Sequence, residues 1–365
     1  MALTPQYLDG VAEPLQAIYS ELETSIMADI ARRISKANYL TPTAEWQFYK
    51  AEQMGLSQKF IAQEISKTTS VSQKELLRIF KDAGIKTSYH DKILQKLLIK
   101  LKILPEKSIP LTAMPAFTQI LNANLIKTNN SLKKLTGTIA VDASGQLNKY
   151  MDQAQLLIQS GGFTQDKAIS MTVDRFARDG VASFDYASGV RTPIEAAVRR
   201  AAVTGVNQAT AQITENNADA LDTDLVEVTS HSDARPEHAV WQGGIYSLSG
   251  NSKKYQSLVE ATDYGDVTGL CGANCRHSFF PYVEGVSEQL PEEKYDETTY
   301  KNEQIQRYNE RQIRSWKKRS ETLKAGGVDD SAATSKVTEW QKKQRDFLKG
   351  TGLTRQYQRE RIAKK

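Results

Sequence analysis

The chain has 365 residues, of which 39% are hydrophobic, 25% charged and 8% aromatic. That length suits two or three packing units, and the composition excludes wholesale disorder. The net charge of +5 is unevenly placed: residues 301–365 carry 18 Lys+Arg against 8 Asp+Glu, so the remainder is slightly acidic. No signal peptide is expected, no apolar run reaches the roughly 18 residues that a spanning helix needs, and two cysteines are too few for a disulfide framework.

Residues 1–110 read as a helical N-terminal domain. Leu15, Ile18, Tyr19, Leu22, Ile26, Ile30 and Ile34 recur at helical spacing, with Pro14 suited to a first turn. Thr41-Pro42 is expected to start a second helix carrying Trp46, Phe48 and Tyr49. Ser72-Gln73-Lys74-Glu75 fits a capping box and predicts a helix start, with Ala83-Gly84 as its end. A further amphipathic helix covers 93–101, and Pro105 and Pro110 mark a boundary.

Residues 111–218 form a second helical region, broken at Gly161-Gly162 and from Asp179-Gly180 through Gly189. In Thr192-Pro193-Ile194-Glu195, a Thr cap, a first-turn Pro and a Glu three residues on predict a helix start. Ile194, Ala197, Val198, Ala201, Val206, Ala209 and Ile213 give that helix an apolar face fit for a core.

The texture changes at about 219–290. Leu225 to Ser230 alternates as a strand, Gly243 to Gly250 brackets a second, and Phe279-Phe280-Pro281-Tyr282-Val283 closes the segment. Beyond it, 291–365 is expected to be a basic helical tail, with Gly326-Gly327 between two helices and Val337, Trp340, Gln344 and Phe347 spaced for packing on a partner helix. The predicted fold is mainly α, with a compact two- to four-stranded α+β module near 220–290.

The chemistry-bearing residues gather in that module. Of four histidines, His231, His238 and His277 lie there with both cysteines, Cys271 and Cys275. Two thiolates with imidazoles suit tetrahedral zinc, and the glycine-rich turn would bring both sulfurs inward. The plainer reading is that the cysteines are small buried hydrophobes, with the histidines and Arg276 bonded to loop backbone. An enzymatic alternative has His231, His238, Cys271, Cys275 and His277 acting as a metal-dependent or thiol-based hydrolase or nuclease. No catalytic residue is assigned, because no third orienting group stands at a recognisable spacing. Ser232-Asp233 ahead of Pro236 predicts a short helix, with Arg235, His238 and Trp241 on one side. No phosphate loop, dinucleotide fingerprint or nucleophile elbow is present.

At the basic end, Arg311, Arg314, Lys317, Lys318, Arg319, Arg355, Arg359, Arg361, Lys364 and Lys365 are candidate phosphate contacts, and Trp316 and Tyr357 lie among them. A solvated helix face and tail is the ordinary alternative.

The run Thr229-Ser230-His231-x-x-Ala234-Arg235-Pro236-x-His238-x-x-Trp241-Gln242-Gly243, then Tyr264-Gly265, then Gly269-Leu270-Cys271-Gly272-x-Asn274-Cys275-Arg276-His277, resembles the phage minor capsid protein 2 family. That family sits within the Mu F-like head morphogenesis proteins of tailed phages. The resemblance extends over roughly residues 5–285 and makes Arg235, Trp241, Gly243, Gly265, Gly269, Asn274 and Arg276 structural motif positions. It implies a structural virion component inside the capsid at the portal vertex, assembled in the host bacterial cytoplasm. The implied partners are the portal protein, other capsid or scaffolding proteins and packaged double-stranded DNA, with no membrane in the free form. No cofactor is expected, with zinc a candidate on the Cys/His set alone.

Overall fold

The computed structural model describes residues 3–37, 43–181, 183–185 and 191–362. The chain is mainly helical. Helix α1 (Pro5–Gly10) is capped by Thr4, whose hydroxyl accepts the Tyr7 amide at 3.2 Å. In α2 (Glu13–Lys36), Leu15, Tyr19, Leu22, Ile26, Ile30 and Ile34 are all buried, as their spacing predicts.

The expected helices of the next sixty residues prove to be one. Helix α3 (Thr43–Lys100) runs for 58 residues, with Trp46 buried near its start; Thr41-Pro42 lies outside the described residues. Ser72 caps nothing: it sits mid-helix, buried, and its hydroxyl donates to the Thr69 carbonyl at 3.1 Å. Gly84 does not end the helix either. A Cβ there would sit 3.1–3.2 Å from Leu121 and Phe117, so the glycine lets the next helix approach closely. Packing has overridden two local stop-and-start signals. The prolines do mark a break between helices, with α3 ending at Lys100 and α4 beginning at Pro115, although Gln73–Leu132 belongs to one unit across it.

Helix α4 (Pro115–Gln159) stops before Gly161, whose φ of +67° only glycine adopts readily. Helix α5 (Gln165–Asp179) is capped by Thr164 and ends at Gly180 in a positive-φ conformation. Strand β1 (Ser183–Asp185) pairs antiparallel with β2 (Arg191–Pro193), and the break expected to extend to Gly189 falls partly on 186–190, outside the described residues. Thr192 and Pro193 therefore belong to a strand and not to a cap, and α6 (Ile194–Ala220) starts after them. Ladder pairing holds the two residues that a local reading gives to the helix. The apolar face of α6 is in the core as expected, with Val198, Val206, Ala209 and Ile213 buried.

The module follows. Strands β3 (Leu225–Val228), β4 (Ile245–Ser247) and β5 (Phe279–Tyr282) form an antiparallel sheet in the order β4-β3-β5, with α7 (Leu258–Thr262) between the last two in sequence. Val226 and Val228 point into a cluster with Trp241, Tyr246, Leu258, Leu270, Cys271, Cys275, Phe279 and Ala211 of α6. Glu227, on the other side of β3, is buried; its Oε1 accepts the Leu290 amide at 2.7 Å.

Helix α8 (Glu297–Ala325) ends at Gly326-Gly327, and α9 (Ser331–Thr351) packs on it. Tyr308 and Trp340 meet edge to face with ring centroids 5.7 Å apart, and Asn309 donates to buried Gln344 at 2.9 Å. The partner helix that the α9 spacing predicts is thus α8. A short 3-10 turn over Tyr357–Glu360 follows.

By contact density the chain divides into two units, each assembled from three separated segments. One comprises Met1–Leu15, Gln73–Leu132 and Arg199–Glu303; the other comprises Gln16–Ser72, Lys133–Val198 and Gln304–Lys365. Among the described residues no helix is long and apolar enough to cross a membrane.

Candidate functional site

The site is built from two loops of the module and one helix. The first loop, 231–243, is a series of hydrogen-bonded turns and not the short helix expected: His238 N–H donates to the Arg235 carbonyl, and Gln242 N–H donates to that of His238. Pro236 supplies no amide to extend the ladder. Gly243, at φ +71°, turns the chain toward β4.

The second loop, between α7 and β5, is coiled tightly enough to face inward. Cys271 and Asn274 adopt left-handed φ values of +59° and +57°. A Cβ at Gly269 would fall 2.0 Å from the Asp263 carbonyl oxygen, and one at Gly272 would fall 2.5 Å from that of Val267. Side chains then tie the coil down. Asn207 of α6 donates to the carbonyls of Cys275 and His277 at 3.1 and 2.9 Å, and Arg235 donates to that of Ala273. Arg276 pairs with Asp233 at 2.7 Å. Burial by itself would raise the Asp233 carboxyl, but the His231 hydrogen bond and the Arg276 guanidinium outweigh it and hold the group well below the usual carboxylate range.

Of the five candidate ligands, the fold brings three together. One donor atom each from His238, Cys275 and His277 lies within 4.8 Å of the others, and all three residues are at most 2% exposed. Cys275 Sγ is 3.9 Å from His238 Nδ1 and 3.7 Å from His277 Nδ1. Cys271, buried in the same core, turns its sulfur to Asn207 Oδ1 at 3.5 Å. His231 lies against His277 with centroids 4.4 Å apart, and its Nδ1 bonds Asp233 at 2.8 Å. Trp241 walls the cluster on its apolar side, its ring 4.6 Å from that of His238 and 4.8 Å from that of His277.

The tautomers follow from the partners. His238 Nε2 is 2.8 Å from the Thr268 carbonyl, which only accepts, so the proton is on Nε2 and Nδ1 carries a lone pair. His277 Nε2 is 3.1 Å from Gln242 Oε1. The orientation of that amide is set independently, because Oε1 also accepts the His231 amide and Nε2 donates to the Glu293 carbonyl. His277 therefore also carries its proton on Nε2 and its lone pair on Nδ1. Burial pushes both imidazoles below their ordinary range, His277 furthest, with the neighbouring histidines and arginines acting in the same direction. Both rings are neutral at neutral pH. Burial likewise raises both thiols, Cys271 the more.

Gln242 and Arg276 stand in the motif noted in the sequence, but Asn207 and Thr268 carry no such signal. Thr268 acts through a main-chain carbonyl that any residue supplies, and Asn207 is separated from Cys275 by 68 positions.

The basic end is largely engaged within its own unit. Lys318 is buried, its ammonium 2.6 Å from Glu23 and 2.7 Å from Glu195, so it has no phosphate to meet. Arg314 pairs with Glu195 and donates to the Arg359 carbonyl; Lys317 donates to the Glu360 carbonyl; Arg319 pairs with Asp174; Arg355 pairs with Glu360. Arg359 is half-buried. Arg311 and Arg361 are exposed, and Lys364 and Lys365 lie outside the described residues.

The sequence model of the family described as phage minor capsid protein 2 matches residues 3–349. A protein of Lactococcus phage LL-H named "Structural protein" is 26% identical over 337 residues, covering 87% of this chain and 88% of that protein. A second "Structural protein", from Lactococcus phage mv4, is 38% identical over 116 residues, covering 30% of this chain and 94% of that one. No solved structure matches significantly. With the family match running over nearly the whole chain, motif loops and helical regions alike, this chain belongs to the phage minor capsid protein 2 family.

Proposed function

We propose that this chain is built into the virion as a minor head component at the portal vertex, on the inside of the capsid, and that its basic C-terminal end touches packaged double-stranded DNA. The observation that carries the proposal is the family match over residues 3–349, supported by relatives named as structural proteins. The portal and other capsid or scaffolding proteins are the partners of this reading. Exposed apolar side chains on α3 and just past its end suit such contacts: Ile85, Tyr89, Ile93 and Leu97 on the helix, then Leu101, follow at four-residue steps, all exposed.

The DNA part of the proposal draws on a smaller set of cations than the charge count offers. Because Lys318 is buried and most neighbouring cations are paired, the contact rests on Arg311, on Arg361 and on the exposed Lys342, Lys343, Arg345 and Lys349 of α9. Cross-linking of purified particles followed by mass spectrometry tests the first part: cross-links between this chain and the portal are expected, and the chain's absence from particles overturns the reading. Salt-dependent binding of the full chain to duplex DNA tests the second. Arg311→Ala with Lys342→Ala and Lys343→Ala is expected to weaken binding several-fold and to reduce the salt slope. An unchanged slope removes DNA from the proposal.

A further inference from the structure

We propose that His238 Nδ1, His277 Nδ1 and Cys275 Sγ hold a zinc ion, making the buried heart of the module a metal site that staples its two loops together. The inference goes beyond the head-protein role and does not depend on it.

Three lines of argument lead there. The first is donor chemistry. Each imidazole has its Nε2 proton committed, one to the Thr268 carbonyl and one to Gln242 Oε1, so both Nδ1 lone pairs are turned to the same sulfur. Ligating histidines are commonly oriented in this way, by a hydrogen bond from the other ring nitrogen. The second is a shortage of protons. A Cys275 thiol carries one hydrogen and can satisfy one of the two facing lone pairs, which leaves the other buried with no donor. A cation at the centre of the three atoms satisfies all of them.

The third is distance. A tetrahedral zinc with bonds of about 2.3 Å to sulfur and about 2.0–2.1 Å to nitrogen has sulfur–nitrogen edges of about 3.5 Å. The two observed separations, 3.7 and 3.9 Å, are within a few tenths of an ångström of that edge and are long for ordinary hydrogen bonds. A mix of one thiolate and two imidazoles suits zinc over the harder magnesium and calcium.

Binding converts the Cys275 thiol to a zinc thiolate and releases its proton to solvent; no oxidant or reductant is involved. Cys271 is outside the set, because its sulfur is turned to Asn207 Oδ1. The three side chains leave one tetrahedral vertex to water or a small ligand. The ligands come from both loops, 231–243 and 263–278, so the ion would join segments that the sheet leaves to side-chain hydrogen bonds.

Full-length protein purified without chelator from zinc-supplemented cells is expected to contain about one zinc per chain. Metal-stripped protein given cobalt(II) is expected to show a near-ultraviolet thiolate-to-metal band together with tetrahedral visible bands. Cys275→Ser should abolish the ultraviolet band, whereas Cys271→Ser should keep both the band and the stoichiometry. Wild-type protein guards against a variant that merely fails to fold: zinc added after stripping should raise its melting temperature by about 5 °C or more. No melting shift together with no thiolate band in the wild type overturns the proposal. So does loss of metal in a folded Cys271→Ser variant, which would require a different donor set.

Discussion

The two units of this protein each bury a polar cluster, and the two clusters are made in opposite ways. In one unit, Lys318 lies between Glu23 and Glu195, with Arg314 closing on Glu195, so charge is matched by charge within the chain. Burial pushes Glu195 up, yet the Lys318 ammonium and Arg314 guanidinium outweigh it and hold that carboxyl below its usual range. In the other unit, His238, His277 and Cys275 are neutral groups whose acceptors face one another with too few protons between them. The ionic cluster is complete as it stands, whereas the His/Cys cluster leaves one imidazole lone pair without a proton. Buried polar groups left unsatisfied are costly, so the difference separates a group of residues that holds a fold from one that, on the zinc proposal, is completed by a ligand.

Disturbing each cluster gives effects of different size. The largest is expected from Lys318→Ala, which strands buried Glu23, leaves Glu195 to Arg314 alone and should cost about 3–5 kcal/mol in chemical denaturation. That loss should be insensitive to chelator, and a change below about 1 kcal/mol would mean that the cluster is not closed. Next comes Gln242→Leu, which removes the partner of the His231 amide, of His277 Nε2 and of the Glu293 carbonyl. A loss of about 1–3 kcal/mol is expected, together with weaker cobalt binding, because His277 is no longer held in its tautomer. A full loss of stability with metal binding intact would make Gln242 a packing residue only.

A comparable effect, but one that depends on pH, concerns a carboxyl outside both clusters. Burial raises Glu227 to about 7, against the Leu290 amide, and its Oε2 has no partner among the described residues, as suits a protonated acid. A carboxyl raised in the folded state adds stability below its unfolded value and loses it as pH rises through the folded one. Wild type should therefore lose about 1–3 kcal/mol relative to Glu227→Gln between about pH 4.5 and 8. A difference independent of pH would show that Glu227 is charged throughout.

What was legible beforehand depended on how local its cause was. The strand read in Leu225 to Ser230, found as Leu225–Val228, and the stops at Gly180 and Gly326-Gly327 express backbone geometry that a few residues decide. Ser72 and Gly84 send equally clear local signals, but α3 continues through both because the helix is paid for by packing elsewhere. The site divides in the same way. Histidines and cysteines close in sequence marked the module, whereas the selection of three donors from five depends on Asn207, Thr268 and Gln242, whose hydrogen bonds reach across loops. The role of Lys318 was the least legible. Its partner Glu23 is 295 positions away, and in the sequence it reads as one cation among many.

That separation has a consequence for synthesis. The unit that holds Lys318 takes its segments from three stretches of the chain, the last beginning at Gln304. As the chain leaves the ribosome, Glu23 and then Glu195 are made long before the ammonium that neutralises them. Residues 16–198 can form helices early, but they must leave the space for α8 open to water until Lys318 arrives. Helix α8 therefore acts as the closing strand of a knot tied late. A nascent chain halted before residue 318 is an unfinished molecule and not a shorter working one, because the ammonium that Glu23 and Glu195 share has not yet been made.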